Sequence, residues 1–233
     1  MSSYKAVEGL LALDNPGWHS LNTHHAHFAI GTGLAKRYPP QVAAFCAVAD
    51  HSDAAFSDLA EIVAKGQTVA LFETCLPPEL PGWTEARAFM VDQMVCDQPV
   101  VEPNASTPIL DLTEADVPDM LGLIELTHPG PFFPRTIEMG HYVGIRQQGQ
   151  LVAMAGERFY LQGYRELSAI CTHPEHQGKG YARLLTSRLV HENWQRGVVP
   201  FLHVVTENAP AMHLYESLHF HRRAEMHVTV LTR

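Results

Sequence analysis

The chain has 233 residues, 46% of them hydrophobic, with 16 Lys and Arg against 25 Asp and Glu and a formal net charge of −9. That length fits one large domain or two small ones, with enough apolar residues for a core that needs no metal or disulfide staples. The acidic balance excludes a general binder of nucleic acid or anionic membranes, and no apolar run approaches the ~20 residues of a membrane span. Residues 1–8 show no basic-then-apolar signal pattern. Cys46, Cys75, Cys96 and Cys171 form no CxxC pair, so reduced thiols and a cytoplasmic setting are expected.

In chain order, residues 26–31 and 42–48 read as strands around a turn at Tyr38-Pro39-Pro40. Ser52 and Asp53 start a helix to about Lys65, with Ala55, Phe56, Leu59, Ile62 and Val63 on its apolar face. Residues 68–72 are a strand, and 88–91 with 94–95 suggest another after an irregular loop. Composition shifts at residues 97–108, which hold three prolines and few large apolar side chains. We place the boundary there: an N-terminal α/β domain, 1–106, and a second domain, 107–233.

Beyond the boundary, residues 109–112 form a strand and Thr113 caps a helix with Glu114 and Asp116 in its first turn. A short helix covers 135–139. Residues 142–145 and 151–156 make a hairpin around Gln147-Gln148-Gly149-Gln150. Then come a strand over 167–172, a helix from Gly180 to Arg196 ended by Gly197, a strand over 201–205, a helix over 208–218 and a strand over 227–231. The fold class expected is α/β (α+β), a mixed sheet with helices on it.

The segment richest in chemistry is the strand end Ile170-Cys171-Thr172 followed by His173-Pro174-Glu175-His176-Gln177-Gly178-Lys179-Gly180-Tyr181-Ala182-Arg183. A strand, a glycine-bearing turn and a long helix aim backbone N–H groups and a helix N-terminus at one point, as an anion site requires. Gly178 and Gly180 let the backbone come close, Ala182 keeps the first turn small, and Gln177, Lys179 and Arg183 add donors and charge. An ordinary tight turn explains two glycines equally well. Neither GxxxxGK[ST] nor GxGxxG is met.

Gln177-Gly178-Lys179-Gly180-Tyr181-Ala182 resembles the [Gln/Arg]-x-x-Gly-x-[Gly/Ala] signature of the Gcn5-related N-acetyltransferases (GNAT). A second stretch, Asn208-Ala209-Pro210-Ala211-Met212-His213-Leu214-Tyr215-Glu216-Ser217-Leu218-His219-Phe220, resembles the family's Asn-x-x-Ala-x-x-Leu-Tyr-x-x-x-Gly-Phe, with His219 in place of the glycine. Residues 107–233 follow the family's element order; residues 1–106 lack its motifs and read as a degenerate copy at most. The resemblance implies a mostly antiparallel GNAT sheet and a loop that wraps the pyrophosphate of acetyl-CoA, the acyl donor. It also implies a strand splayed from its neighbour so that backbone groups of Ile170 and Thr172 meet the pantetheine arm, Ile170 N–H serving the oxyanion. Cys171 lies between them among the cofactor-binding positions of that strand, its thiol reading as packing rather than as a nucleophile. Asn208 bonds pantetheine or caps its helix.

Transfer of an acetyl group to an amine needs the amine neutral, and a lysine-like amine is only roughly one part in 2,500 neutral at pH 7. Glu166, at the family's spacing before Gln177, is the expected base. Tyr215 is the expected proton donor to the leaving thiolate, an uphill step of only about 2 kcal/mol for a phenol of ordinary pKa. The reading is an N-acetyltransferase acting on a primary amine of a small molecule or peptide, with no nucleic-acid or membrane partner and a homodimer left open. The alternative is a non-catalytic acyl-CoA sensor or scaffold. Fifteen histidines invite a metal reading, but there is no HExxH and no Cys/His ligand set, so no metal is expected.

Overall fold

The computed structural model describes residues 11–101 and 107–233; the expectations for residues 1–8, and those for 102–106 within the linker, lie outside them. Helix α1 (Pro16–Asn22) opens on Asn15, whose side chain accepts from Trp18 N, with proline in the first turn. The short strands β1 (Ala35–Arg37) and β2 (Cys46–Val48) pair antiparallel. Helix α2 (Asp53–Ile62) is capped by Ser52. Strands β3 (Thr68–Glu73) and β4 (Thr84–Val95) precede the linker. Beyond it run β5 (Leu110–Asp111), α3 (Val117–Thr127), β6 (Tyr142–Gln147), β7 (Gln150–Leu161) and β8 (Tyr164–Thr172). The last elements are α4 (Tyr181–Gln195), β9 (Val199–Val205), α5 (Ala209–Glu216) and β10 (His221–Thr232).

Two local expectations change. Residues 26–28 form a 3-10 turn, because buried His25 bonds Ser20, Tyr38 and the Met139 carbonyl and pins that segment through its ring. Residues 42–43 lie in a turn closed on Pro39 O, so β2 keeps only 46–48. Helix α1 was not anticipated from sequence; Asn15 caps it.

Strands β3 to β10 build one sheet in the order β3-β10-β4-β9-β8-β7-β6-β5. Every neighbouring pair is antiparallel except β8 with β9. This is the mixed, mostly antiparallel sheet with flanking helices that was expected. Strands from both sides of the 106/107 boundary pair in it: β4 lies between β9 and β10, and β3 on the far side of β10.

Each face of the sheet has its own cover. On one, Leu185, Leu189 and Val190 of α4 and Tyr215 of α5 pack with Leu218 and Phe220 onto Val143, Val152, Leu167, Leu202 and Val204. On the other, Met120 and Leu123 of α3 and Phe132 pack on Tyr142, Met154 and Cys171. Leu13, Leu21, Tyr38 and Phe45 from before the linker pack on Phe159 and Phe201 of that second face. Each fully buried leucine or phenylalanine contributes about 1.5–3 kcal/mol. Among the described residues no helix is long and apolar enough to cross a membrane.

Candidate functional site

The site begins where two parallel strands part. Strands β8 and β9 pair from Tyr164↔Val199 to Leu167↔Leu202 and no further, although β8 continues to Thr172 and β9 to Val205. Each stays bonded to its outer neighbour, β8 to β7 as far as Thr172 and β9 to β4 as far as Val205. A wedge therefore opens at Ser168 and His203.

The cause is local. Between Ser168 and Cys171, β8 carries one more residue than the facing stretch of β7, Gly156 to Met154. Ala169 there has φ +53 in the left-handed region. A bulge of this kind bends the strand that carries it. A non-glycine residue held in that conformation is strain of the sort that collects at functional sites.

Past Thr172 the chain makes a 3-10 turn, Pro174–His176, capped by the His173 ring accepting from Glu175 N. Gly178 and Gly180 adopt φ +74 and +77, and a Cβ added to either would meet nothing within 4 Å. Gly180 is the N-cap of α4 and makes no side-chain cap. The first helical bond is Leu184 N to Gly180 O, so the N–H groups of Tyr181, Ala182 and Arg183 have no partner within the helix. Free N–H groups at a helix N-terminus beside two open glycines are the arrangement an anion site requires. Gln177 and Lys179 are exposed around it, with Lys179 Nζ 3.2 Å from His176 Nδ1. Arg183 turns away and bonds Ser217 Oγ and O, tying α4 to the end of α5.

Ile170 packs with Tyr181, Leu184 and Tyr215 on the α4 and α5 face. Cys171 is buried on the opposite face, and burial pushes its thiol up to about 11. That makes it an inert packing group. Thr172 is half-buried at the strand end. Of the two roles open to Asn208, the structure contains the cap: its side chain accepts from Ala211 N at 3.3 Å.

Tyr215 is buried, and none of the hydrogen bonds among the described residues ends on its hydroxyl. Burial pushes its pKa up to about 12. The helix end behind it is closed by Phe220 N bonding Tyr215 O at 3.0 Å, with His219 at φ +66. Histidine holds there the conformation that the family pattern gives to glycine, at a cost of roughly 1–2 kcal/mol.

Glu166 requires a correction. Its side chain is 0% exposed and receives two bonds from Arg158, Nε to Oε2 at 2.7 Å and Nη2 to Oε1 at 2.6 Å. Phe159 N adds a third at 3.3 Å, and His203 Nδ1 lies 2.6 Å from Oε1. Burial works against ionisation, but Arg158 and His203 outweigh it and hold the carboxyl down to about 2. A carboxylate so placed has neither an open lone pair nor the proton affinity to take a proton from an amine at neutral pH. Its role here is to fix its neighbours.

The network extends from Glu166 across the sheet. His203 is kept below its ordinary pKa by burial, against the pull of Glu166. Its Nε2 lies 3.0 Å from Gln93 Nε2, and Gln93 also bonds Leu13 O and Arg223. A neutral imidazole then donates from Nδ1 to Glu166 and accepts at Nε2 from the Gln93 amide. Arg158, His203 and Gln93 were not singled out by sequence. The one signal was a lone arginine inside the apolar run of β7.

The histidine cluster has a structural account. His24 stacks on Tyr160 with ring centroids 3.7 Å apart, and burial lowers His25 to about 3 within its bonded pocket. Among the described residues no three His, Cys, Asp or Glu are grouped to hold a metal ion.

Residues 142–228 match the family model described as FR47-like protein. N-alpha-acetyltransferase RimI of Mycobacterium tuberculosis is 40% identical over 86 residues, which cover 35% of this chain and 52% of that protein. The match thus spans about half the length of that curated relative. A solved GNAT-family structure from Novosphingobium aromaticivorans is 34% identical, covers 95% of this chain and 98% of its own, and superposes with a TM-score of 0.88. A GCN5-related N-acetyltransferase from Kribbella flavida, 15% identical with a TM-score of 0.58 and coverage of 86% and 88%, shares the fold. With similarity over nearly its whole length to a known member, and with both signature stretches at the wedge, this chain belongs to the GNAT family of N-acetyltransferases.

Proposed function

We propose that the protein transfers an acetyl group from acetyl-CoA directly to a primary amine of a small molecule or peptide. The observation that carries this reading is the wedge between β8 and β9, open beside the uncapped N-terminus of α4. The backbone N–H groups of 178–183, with Gln177 and Lys179, hold the pyrophosphate. The free edge of β8 over 170–172 receives the pantetheine arm, and Ile170 N–H faces the thioester oxygen. Acetyl-CoA supplies the activated acyl carbon. The amine nitrogen forms the new C–N bond, the C–S bond breaks, the nitrogen gives up a proton to solvent, and Tyr215 protonates the departing sulfur.

The match to an enzyme named N-alpha-acetyltransferase RimI favours a peptide amine over a small molecule. A thiol-release assay with acetyl-CoA and a panel of peptides, amino acids and polyamines tests the proposal. Thiol release with none of them, alongside intact coenzyme A binding, would establish the scaffold alternative. Acetyl-CoA at 100 times its Kd is expected to add about 2.7 kcal/mol to stability, and an unchanged melting curve at millimolar acetyl-CoA would remove the donor from the proposal.

Gly180→Val places a branched side chain in the cradle at a left-handed position. Coenzyme A affinity measured by titration calorimetry is expected to fall at least tenfold. Melting, read separately, should show only the roughly 1–2 kcal/mol of backbone strain. Wild-type affinity in this variant would mean that the loop is only a turn.

A further inference from the structure

Strand β4 outruns its neighbour. Its pairing with β9 ends at Val91↔Val205, so Thr84–Met90 keep β10 on one side and no paired strand among the described residues on the other. Directly opposed residues project from the same face of a sheet, and alternate residues of one strand share a face. Val205, Val91, Phe89 and Arg87 therefore lie on one face, with Val228 opposite Phe89 and Val230 opposite Arg87. Val91 and Val228 are buried in one cluster with Phe201, Tyr38 and Phe45, which makes this the face away from α4 and α5. The cover on it reaches the His203 side chain, 2% exposed, and stops. Val205, two residues on, is 45% exposed, and Phe89 and Val230 are half-buried. An apolar shelf thus begins where the wedge opens.

Arg87 stands exposed at the outer end of the shelf. Its guanidinium carbon lies 4.5 Å from the centroid of the Phe89 ring, and none of the hydrogen bonds or ion pairs among the described residues ends on it. Glu85, the nearest acid on the strand, is turned away. Arg87 opposes Val230 and Glu85 opposes Leu231, so a bulge at Ala86 sets the two charges on opposite faces. Stacking on a ring occupies the flat of a guanidinium and leaves its in-plane N–H groups free, the fork that takes a carboxylate in two parallel bonds. In the proposed reading the coenzyme's phosphates lie at the start of α4, which packs on the other face. The anion on this face is then the acceptor's.

The sheet sets the span. Strands β8 and β9 run in parallel register up to Leu167↔Leu202, so Ile170 stands about level with Val205. Two interstrand steps of ~4.8 Å and two residues of ~3.3 Å along β4 lead from there to Phe89, which puts the stacked guanidinium on the order of 10 Å from the reacting carbon. An α-amino acid, whose amine and carboxylate share one carbon, is too short to reach both.

We propose that Val205, Phe89 and Val230 bind the apolar body of the acceptor and that Arg87 holds a carboxylate at its far end. The acceptor is then an amine whose carboxylate is on the order of 10 Å away. This rests on the acetyl-transfer reading and names what the same site selects.

The probes ω-aminooctanoate and n-octylamine share one apolar body and differ in the carboxylate. With the unaltered protein KM is expected to be about tenfold lower for ω-aminooctanoate. Arg87→Met keeps an apolar stem on Phe89 and removes the charge. It is expected to raise KM for ω-aminooctanoate about tenfold and so to erase the preference, with kcat for both amines and the Kd of acetyl-CoA unchanged. Arg87→Lys, which keeps the charge without the fork, should recover part of the preference. Equal KM for the two amines in the unaltered protein, or a preference that survives in Arg87→Met, would overturn the assignment. A weaker acetyl-CoA Kd in that variant would overturn it too, by giving the guanidinium to the coenzyme. Acetylation of other amines but of neither probe would refute this inference and leave the acetyl-transfer reading standing. If no amine at all supports thiol release, that reading falls, and this inference with it.

Discussion

Tyr215→Phe is expected to lower kcat by ~10²–10⁴ while leaving KM for acetyl-CoA nearly unchanged. The ring stays in its cluster with Leu185, Leu218 and Phe220, so packing is preserved and only the hydroxyl is lost. Its burial-raised pKa of about 12 sets the energetics, since protonating a thiolate of pKa ~8.5 becomes uphill by about 5 kcal/mol. That is more than twice the gap for an exposed tyrosine, and still compatible with a transient donor. It also keeps the hydroxyl protonated across the working pH range, so no fall in rate between pH 8 and 10 should trace to it. Full kcat at neutral pH in the variant would make Tyr215 a packing group and leave the sulfur to be protonated by water.

Arg158→Leu is expected to cost about 3–5 kcal/mol of stability in urea unfolding, because it strands a carboxylate with no exposure beside a buried imidazole. Adding Glu166→Leu should restore much of the loss, since two apolar side chains replace the ion pair. A loss below about 1 kcal/mol in the single variant would contradict the network. The pH dependence follows from the direction of the Glu166 shift. Its folded pKa, about 2, lies below the ordinary 4.5. The stability that it contributes is therefore fully present above pH 4.5 and is lost as pH falls toward 2. Without Arg158 burial raises the carboxyl again, so the loss of stability on acidification should shrink or disappear.

The elements after the linker were legible because their signals are local. The capping box at Thr113 and Asp116, the hairpin turn at Gln148-Gly149 and the glycine at 197 each act within a few residues. The turn into α4 was legible for the same reason: strand end, two glycines and helix start lie in one short stretch. Strand β4 was half hidden, because residues 84–88 are exposed and lack the alternation of a half-buried strand.

The position of Glu166 on β8 could be read from sequence, but its partners could not. Whether a carboxylate takes protons or holds cations depends on its partners, and Arg158 and His203 sit on other strands. Arg87 drew no attention, because its separation from Glu85 depends on the register of β4 against β10. Nothing in either residue's own neighbourhood announces the bulge.

The insertion of β10 between β3 and β4 also bears on how the molecule assembles. Strands β3 and β4 have no bond to each other in the sheet, and both wait for a partner that is synthesised far later. Such distant pairing makes for slow folding. Until β10 emerges from the ribosome, two strands with apolar faces stand with open edges, the condition in which nascent chains aggregate. The exposed Glu85 and Arg87 on β4 put charge on one of those edges while it waits. Arrival of β10 closes the sheet in a single late event, and soluble expression should depend on that strand more steeply than on any helix that covers the sheet.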